Sequence, residues 1–303
     1  MSFTSTIKNE LSKLELEKIE KVTLLSAILK NSMTLDDSIK ISTENSSLAR
    51  HIFTLIKETY SITPRIIVRK GFNYNKNLIY ILEIKEKKDI ILEDLCLNKN
   101  IPEEYILDDD SLTRIYLRGV FLSCGSINDP KKSRYHLEFI VDNIEYANFI
   151  KNKLNTYYLN SKVIKRNNRF MIYIKEAEKI GDFLRMIGAI NALLYFEDIR
   201  IYRDHKNMTN RLNNCEQANV DKVIATAELQ LKDIELIESI GGLDLLDDKT
   251  KVAAIYRKKY KDVSLTELSE IISTETNEKI TKSGLHHRFT KIKKLANKIK
   301  DNK

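Results

Sequence analysis

The chain has 303 residues, 42% hydrophobic and 31% charged, enough to bury cores and to suggest about two domains. No apolar run nears the roughly 18 residues of a membrane span and MSFTSTIKNELSKLE is no signal peptide, so a soluble, cytoplasmic protein with no membrane partner is expected. Cys96, Cys124 and Cys215 have neither disulfide nor zinc spacing, so no metal or cofactor is expected, while a net charge of +8 leaves a polyanionic partner open.

In chain order, helical spacing predicts helices over Thr4 to Leu16 and Lys21 to Lys30, the latter with Val22, Leu25, Ile28 and Leu29 on one face. A strand from Ser38 to Ser42 leads to an amphipathic helix from Ser47 to Tyr60. Strands from Pro64 to Lys70 and Leu78 to Lys85 flank the turn-like GFNYNKN, and a short helix near Leu92 to Leu97 closes the unit. The order then recurs: a helix from Ser111 to Ser123, a strand from Arg134 to Val141, and a helix from Ile144 to Tyr157. Strands from Lys162 to Arg166 and Arg169 to Lys175 precede the helix Ala177 to Ile187. An offset of roughly 95 residues is too long for a solenoid and fits a duplicated domain.

The polar stretch RDHKNMTNRLNNCEQANVDK reads as a linker entering a helix, which Gly241-Gly242 stops. The expected organisation is thus a first repeat over 1–100, a second over 101–205, a linker over 206–220 and an all-helical domain over 221–303. In that last domain Val252 to Tyr260 is helical, and Ser264 with Glu267 forms a capping box opening the helix Leu265 to Ile272. The turn STETNEKIT then leads into a basic helix from about Lys282, a helix-turn-helix pattern.

The excess charge is concentrated there. Lys279 to Lys303 holds nine bases against the single acid Asp301, a surplus equal to that of the whole chain. Leu285, Phe289, Ile292, Ala296 and Ile299 follow core spacing, and Ser283, His287, Thr290, Lys291 and Lys294 point away. His286 and Arg288 lie on the flanks, and Lys282 opens the helix. In a recognition helix the first residues read bases and later ones meet phosphates. Ser283, His286 and His287 are therefore the expected base contacts, and Arg288, Lys291 and Lys294 the expected phosphate contacts. His286 and His287 are adjacent and face different ways, which favours neither metal binding nor catalysis.

One motif carries more history. Leu117-Arg118-Gly119-Val120-Phe121-Leu122-Ser123-Cys124-Gly125 has the rhythm of the LAGLIDADG helix of homing endonucleases, with Cys124 where the metal-binding acid stands. In the first repeat Leu25-Ser26-Ala27-Ile28-Leu29-Lys30-Asn31-Ser32-Met33 matches it, with Ala27 opposite Gly119 and Ser32 opposite Cys124. Small residues at Ala27 and Gly119 suit two helices that cross closely. Cleavage of this type needs carboxylates to hold hard cations, which Ser32 and Cys124 do not supply. Asp36, Asp37 and Asp129 lie beyond the helix ends. On the strands Arg65, Ile67 and Arg69 share a face, as do Met171, Tyr173 and Lys175, but Glu83 and Glu138 dilute any basic surface.

With these motifs, the junction Asn210-Arg211-Leu212-Asn213-Asn214-Cys215-Glu216-Gln217-Ala218-Asn219 and Ser283-Gly284-Leu285-His286-His287-Arg288, the chain resembles the WhiA family of bacterial regulators. The family tends to carry Asn where His286 stands. The resemblance implies an α+β fold: a duplicated, degenerate LAGLIDADG-like domain followed by an all-α helix-turn-helix domain. It also implies binding of double-stranded DNA without cleavage, nucleoid association, and roles in cell division, chromosome segregation or sporulation control. The competing readings are an active LAGLIDADG endonuclease or its RNA-splicing relative, and a protein-docking role toward another regulator or RNA polymerase.

Overall fold

The computed structural model describes residues 2–71, 78–132 and 134–301, so most of the GFNYNKN turn and Lys303 lie outside the described residues. The chain divides into two compact units, 1–203 and 204–303. The first is α+β and carries the repeat. Its elements are α1 (Phe3–Leu11), α2 (Lys18–Ser32), β1 (Met33–Leu35), β2 (Ile39–Thr43), α3 (Ser46–Tyr60), β3 (Arg65–Lys70), β4 (Leu78–Ile84) and α4 (Lys88–Asp94). The second copy runs α5 (Asp110–Cys124), β5 (Gly125–Ile127), β6 (Leu137–Val141), α6 (Ile144–Thr156), β7 (Lys162–Arg166), β8 (Arg169–Ile174) and α7 (Ala177–Met186).

Each copy builds a four-stranded antiparallel sheet of the same order, β1-β2-β4-β3 and β5-β6-β8-β7. The three-residue strands β1 and β5 were not foreseen, because their pairing with β2 and β6 leaves no periodic signal in so short a segment. The Thr4 hydroxyl completes the edge of β5, donating to Ile127 O and accepting from Ile127 N, both at 2.9 Å. The helix expected to reach Leu16 ends at Leu11, where the Ser12 hydroxyl turns back to Lys8 O at 2.7 Å.

The core of this unit gathers on the helix side of both sheets. Phe121, Phe139 and Phe183 meet there edge to face, with centroids 5.6–6.5 Å apart. Helices α2 and α5 pack against one another along the centre. Ala27 and Gly119 mark the crossing, as the sequence led us to expect: a Cβ on Gly119 would sit 2.6 Å from Ala27 Cβ and 2.9 Å from Leu24 O. Backbone on one side and a buried methyl on the other leave no room. Gly119→Ala should therefore lower stability by about 1–3 kcal/mol, as overpacking does, in urea denaturation of the full chain. An unchanged midpoint would mean that the helices separate freely.

The second unit is helical throughout: the later part of α8 (Ile190–Gly241), then α9 (Asp248–Lys259), α10 (Leu265–Thr276) and α11 (Lys282–Asp301). Residues 206–220, read as a linker, are helical and solvent-exposed within α8.

Candidate nucleic-acid interface

Local chemistry sets the ends of the last three helices. The Asp247 carboxylate caps α9 by accepting from Thr250 N at 2.9 Å. Ser264 and Glu267 cap α10 reciprocally, at 3.2 and 2.8 Å, as the sequence pattern requires. Asn277, at φ 57°, takes the left-handed conformation that ends α10. Behind them Leu268, Ile272, Leu285, Phe289, Ile292 and Ala296 close over Ile234, Ile237, Ala253 and Ala254.

Within this core lies a cation. Arg257, 1% exposed, donates Nε–H to Gln230 Oε1 at 3.0 Å and Nη1–H to Val263 O at 2.7 Å and Tyr260 O at 3.3 Å. Its guanidinium lies over the Phe289 ring, 5.6 Å from the centroid. One side chain thus ties α8, the turn before α10 and the base of α11 together.

The expected contact residues divide by environment. Lys282, Ser283, His286, His287, Lys291 and Lys294 are exposed, whereas Arg288 and Thr290 are half-buried. Ser283, His287 and Lys294 share the outward face, and Lys298 joins them one turn beyond Lys294. His286 and Thr290 instead line a cleft of about 280 Å³ with Thr226, Gln230 and Asp233, and the Thr290 hydroxyl donates to His286 O at 2.9 Å. Lys291 is engaged by Asp247 at 3.1 Å. Hydrogen bonds from Thr250, then from Lys291, hold the Asp247 carboxyl down at about 2.

At the ends of the motif helices both side chains are engaged by backbone. Ser32 Oγ donates to Ile28 O at 2.7 Å and Cys124 Sγ to Val120 O at 3.3 Å, so each side chain is turned back onto its own helix. Burial pushes the Cys124 thiol up to about 11, far from the thiolate that metal binding or redox chemistry uses. The neighbouring cation is Lys8, lowered by its own burial to about 8 and 5.9 Å from the Phe121 centroid. Arg118, inside the motif, donates Nε–H to Ile187 O at 2.7 Å and so caps α7. Among the described residues no group of three or more His, Cys, Asp or Glu is placed to hold a metal ion.

Three family models cover most of the chain: the WhiA N-terminal LAGLIDADG-like domain at residues 21–98, the WhiA LAGLIDADG-like domain at 113–206, and the WhiA C-terminal HTH domain at 209–296. The chain belongs to the WhiA family. It is 43% identical to the probable cell division proteins WhiA of Oceanobacillus iheyensis and Bacillus cytotoxicus, over 99% of this chain and 98% of each relative. Among solved structures it is similar to full-length WhiA from Thermotoga maritima, with a TM-score of 0.61 at 27% identity over 98% of this chain and 99% of that one. The isolated N-terminal LAGLIDADG domain of a WhiA protein matches 62% of this chain and 92% of its own, with a TM-score of 0.51 at 27% identity. The WhiA fold therefore accounts for the duplicated α+β unit and the helical unit alike. No described helix is long and apolar enough to cross a membrane.

Sequence reasoning missed two residues of this interface. Asp247 is 44 positions from Lys291, and nothing in the intervening sequence announces the pair. Arg257 stands in the run Arg257-Lys258-Lys259, where only the tertiary fold separates the buried base from its exposed neighbours.

Proposed function

We propose that the chain is a sequence-specific, double-stranded-DNA-binding regulator that does not cleave DNA. The observation that carries this reading is α11: a basic helix whose outward face holds Ser283, His287, Lys294 and Lys298, seated on a core clamped by Arg257. Side chains of these types address base edges and phosphates. The relatives' description as probable cell division proteins supports a role in cell division. Transcription regulation, with chromosome segregation or sporulation control as its outcome, completes the proposal. A nucleoid-associated protein in the cytoplasm, acting with another regulator or RNA polymerase, suits that role. Cleavage is disfavoured because Ser32 and Cys124 offer no carboxylate and face their own helices.

The test is selection of duplexes from a random pool by the purified chain, followed by incubation of plasmid DNA with Mg²⁺ or Mn²⁺. A recurrent selected sequence and intact plasmid are expected. Metal-dependent nicking abolished by Cys124→Ala would instead make the protein an endonuclease.

A further inference from the structure

The second sheet has two unlike faces. Leu137, Phe139, Val141, Ile172 and Ile174 point into the core. The alternate residues face outward, and the register sets three of them in a row: Ile140 opposite Met171, and Met171 opposite Ile164. Ile140 and Ile164 are 36% and 42% exposed, while Met171 lies between them at 7%. The fold does not need this row, since its core lies on the other face. Beside it, at the β7–β8 turn, a cleft of about 520 Å³ is lined by Ile140, Met171, Phe170, Arg166, Arg169 and the two intervening asparagines.

We propose that this row and cleft dock an acidic protein segment bearing one large apolar side chain. The floor is apolar, and the rim carries an excess of base because its acids, Glu138 and Asp142, are already engaged by His136 and Arg169, a combination that fits an apolar anchor flanked by carboxylates. Arg169 is already held by Asp142 at 2.9 Å, but Arg166 and Lys162, at either end of β7, have no ion-pair partner among the described residues. DNA fits the same face poorly. The middle row, Ile140, Met171 and Ile164, has no hydrogen-bonding side chain to meet a base edge. The apolar row therefore selects a protein side chain over a base, and Lys162 and Arg166 select acidic residues around it. The face belongs to the first unit and α11 to the second, so the two proposals rest on different residues.

The probe is a panel of short fluorescent peptides, each with acidic residues around a central Leu, Phe or Met, titrated against the full chain by anisotropy. A matching panel has Ser at the centre. At least one apolar-centred peptide should bind saturably, and its Ser counterpart at least tenfold more weakly. Ile164→Ser and Arg166→Glu, both at exposed strand positions, should each weaken binding by tenfold or more with unchanged circular dichroism. A peptide with Lys for Glu should recover affinity on Arg166→Glu alone. Equal binding of the Ser and apolar panels, no saturable binding by any peptide, or failure of the charge swap would overturn the proposal. So would loss of selected-duplex affinity in the two variants, which would assign the face to DNA. Because duplex binding is measured in parallel on the unmodified chain, failure of the peptide site and failure of the DNA-binding reading are separately visible.

Discussion

Arg257→Ala is expected to lower the stability of the helical unit by about 2–4 kcal/mol, the range for a buried side chain whose loss leaves several polar groups unpaired. Val263 O, Tyr260 O and Gln230 Oε1 each lose a donor, and the ring of Phe289 loses the cation above it. The desolvation of a buried guanidinium opposes these gains, and it lowers the affinity of Arg257 for its proton. The contacts outweigh it, because removing the guanidinium takes a donor from Val263 O and from Tyr260 O. Arg257→Met should be milder, since an unbranched thioether still fills the space over the Phe289 ring that the guanidinium occupies. Urea titration followed by far-ultraviolet circular dichroism would show an earlier transition for the helical unit in both variants, with Ala the worse. Duplex affinity should fall in parallel, since α11 is seated on the core that Arg257 clamps. If the Ala variant unfolded with the unmodified chain, the clamp would be incidental to the fold.

Much of this fold was readable from spacing alone. Helices with one apolar stripe, such as α3 and α5, were placed within a residue or two, because burial of a single face forces period 3.6 on the sequence. Ala27 and Gly119 could be paired because a close crossing tolerates only small residues. Helix α8 escaped notice over 206–220 for the converse reason: a helix exposed on every side has no apolar stripe to announce it. The candidate interface was readable in its charge and its outward face but not in its pairings. That His286 and Thr290 turn toward α8, and that Asp247 holds Lys291, are facts of packing between segments far apart in sequence.

That pairing changes which lysines should dominate DNA affinity. From the sequence, Lys291 and Lys294 are expected to supply two phosphate contacts, nearly two units of salt slope. In the structure Lys294 and Lys298 are the outward, exposed pair, and Lys291 must leave Asp247 before it meets a phosphate. Each phosphate contact contributes about 0.9 to the slope of log affinity against log salt. Lys294→Ala with Lys298→Ala should therefore flatten the slope by nearly two units, on selected and scrambled duplexes alike. Lys291→Ala alone should flatten it by less than one contact's worth. Asp247→Asn separates the two roles of that residue: Asn caps a helix as well as Asp does, so α9 keeps its N-terminus while Lys291 is released. Affinity should then rise and the slope steepen toward one further contact. His287→Ala, by contrast, should cost about 1–3 kcal/mol on the selected duplex and leave the scrambled one unaffected, as a lost base contact does. Binding isotherms at several salt concentrations distinguish these outcomes. An Asp247→Asn variant with unchanged affinity and slope would remove Lys291 from the interface, and an unchanged slope after the Lys294 and Lys298 changes would remove α11 from the DNA altogether.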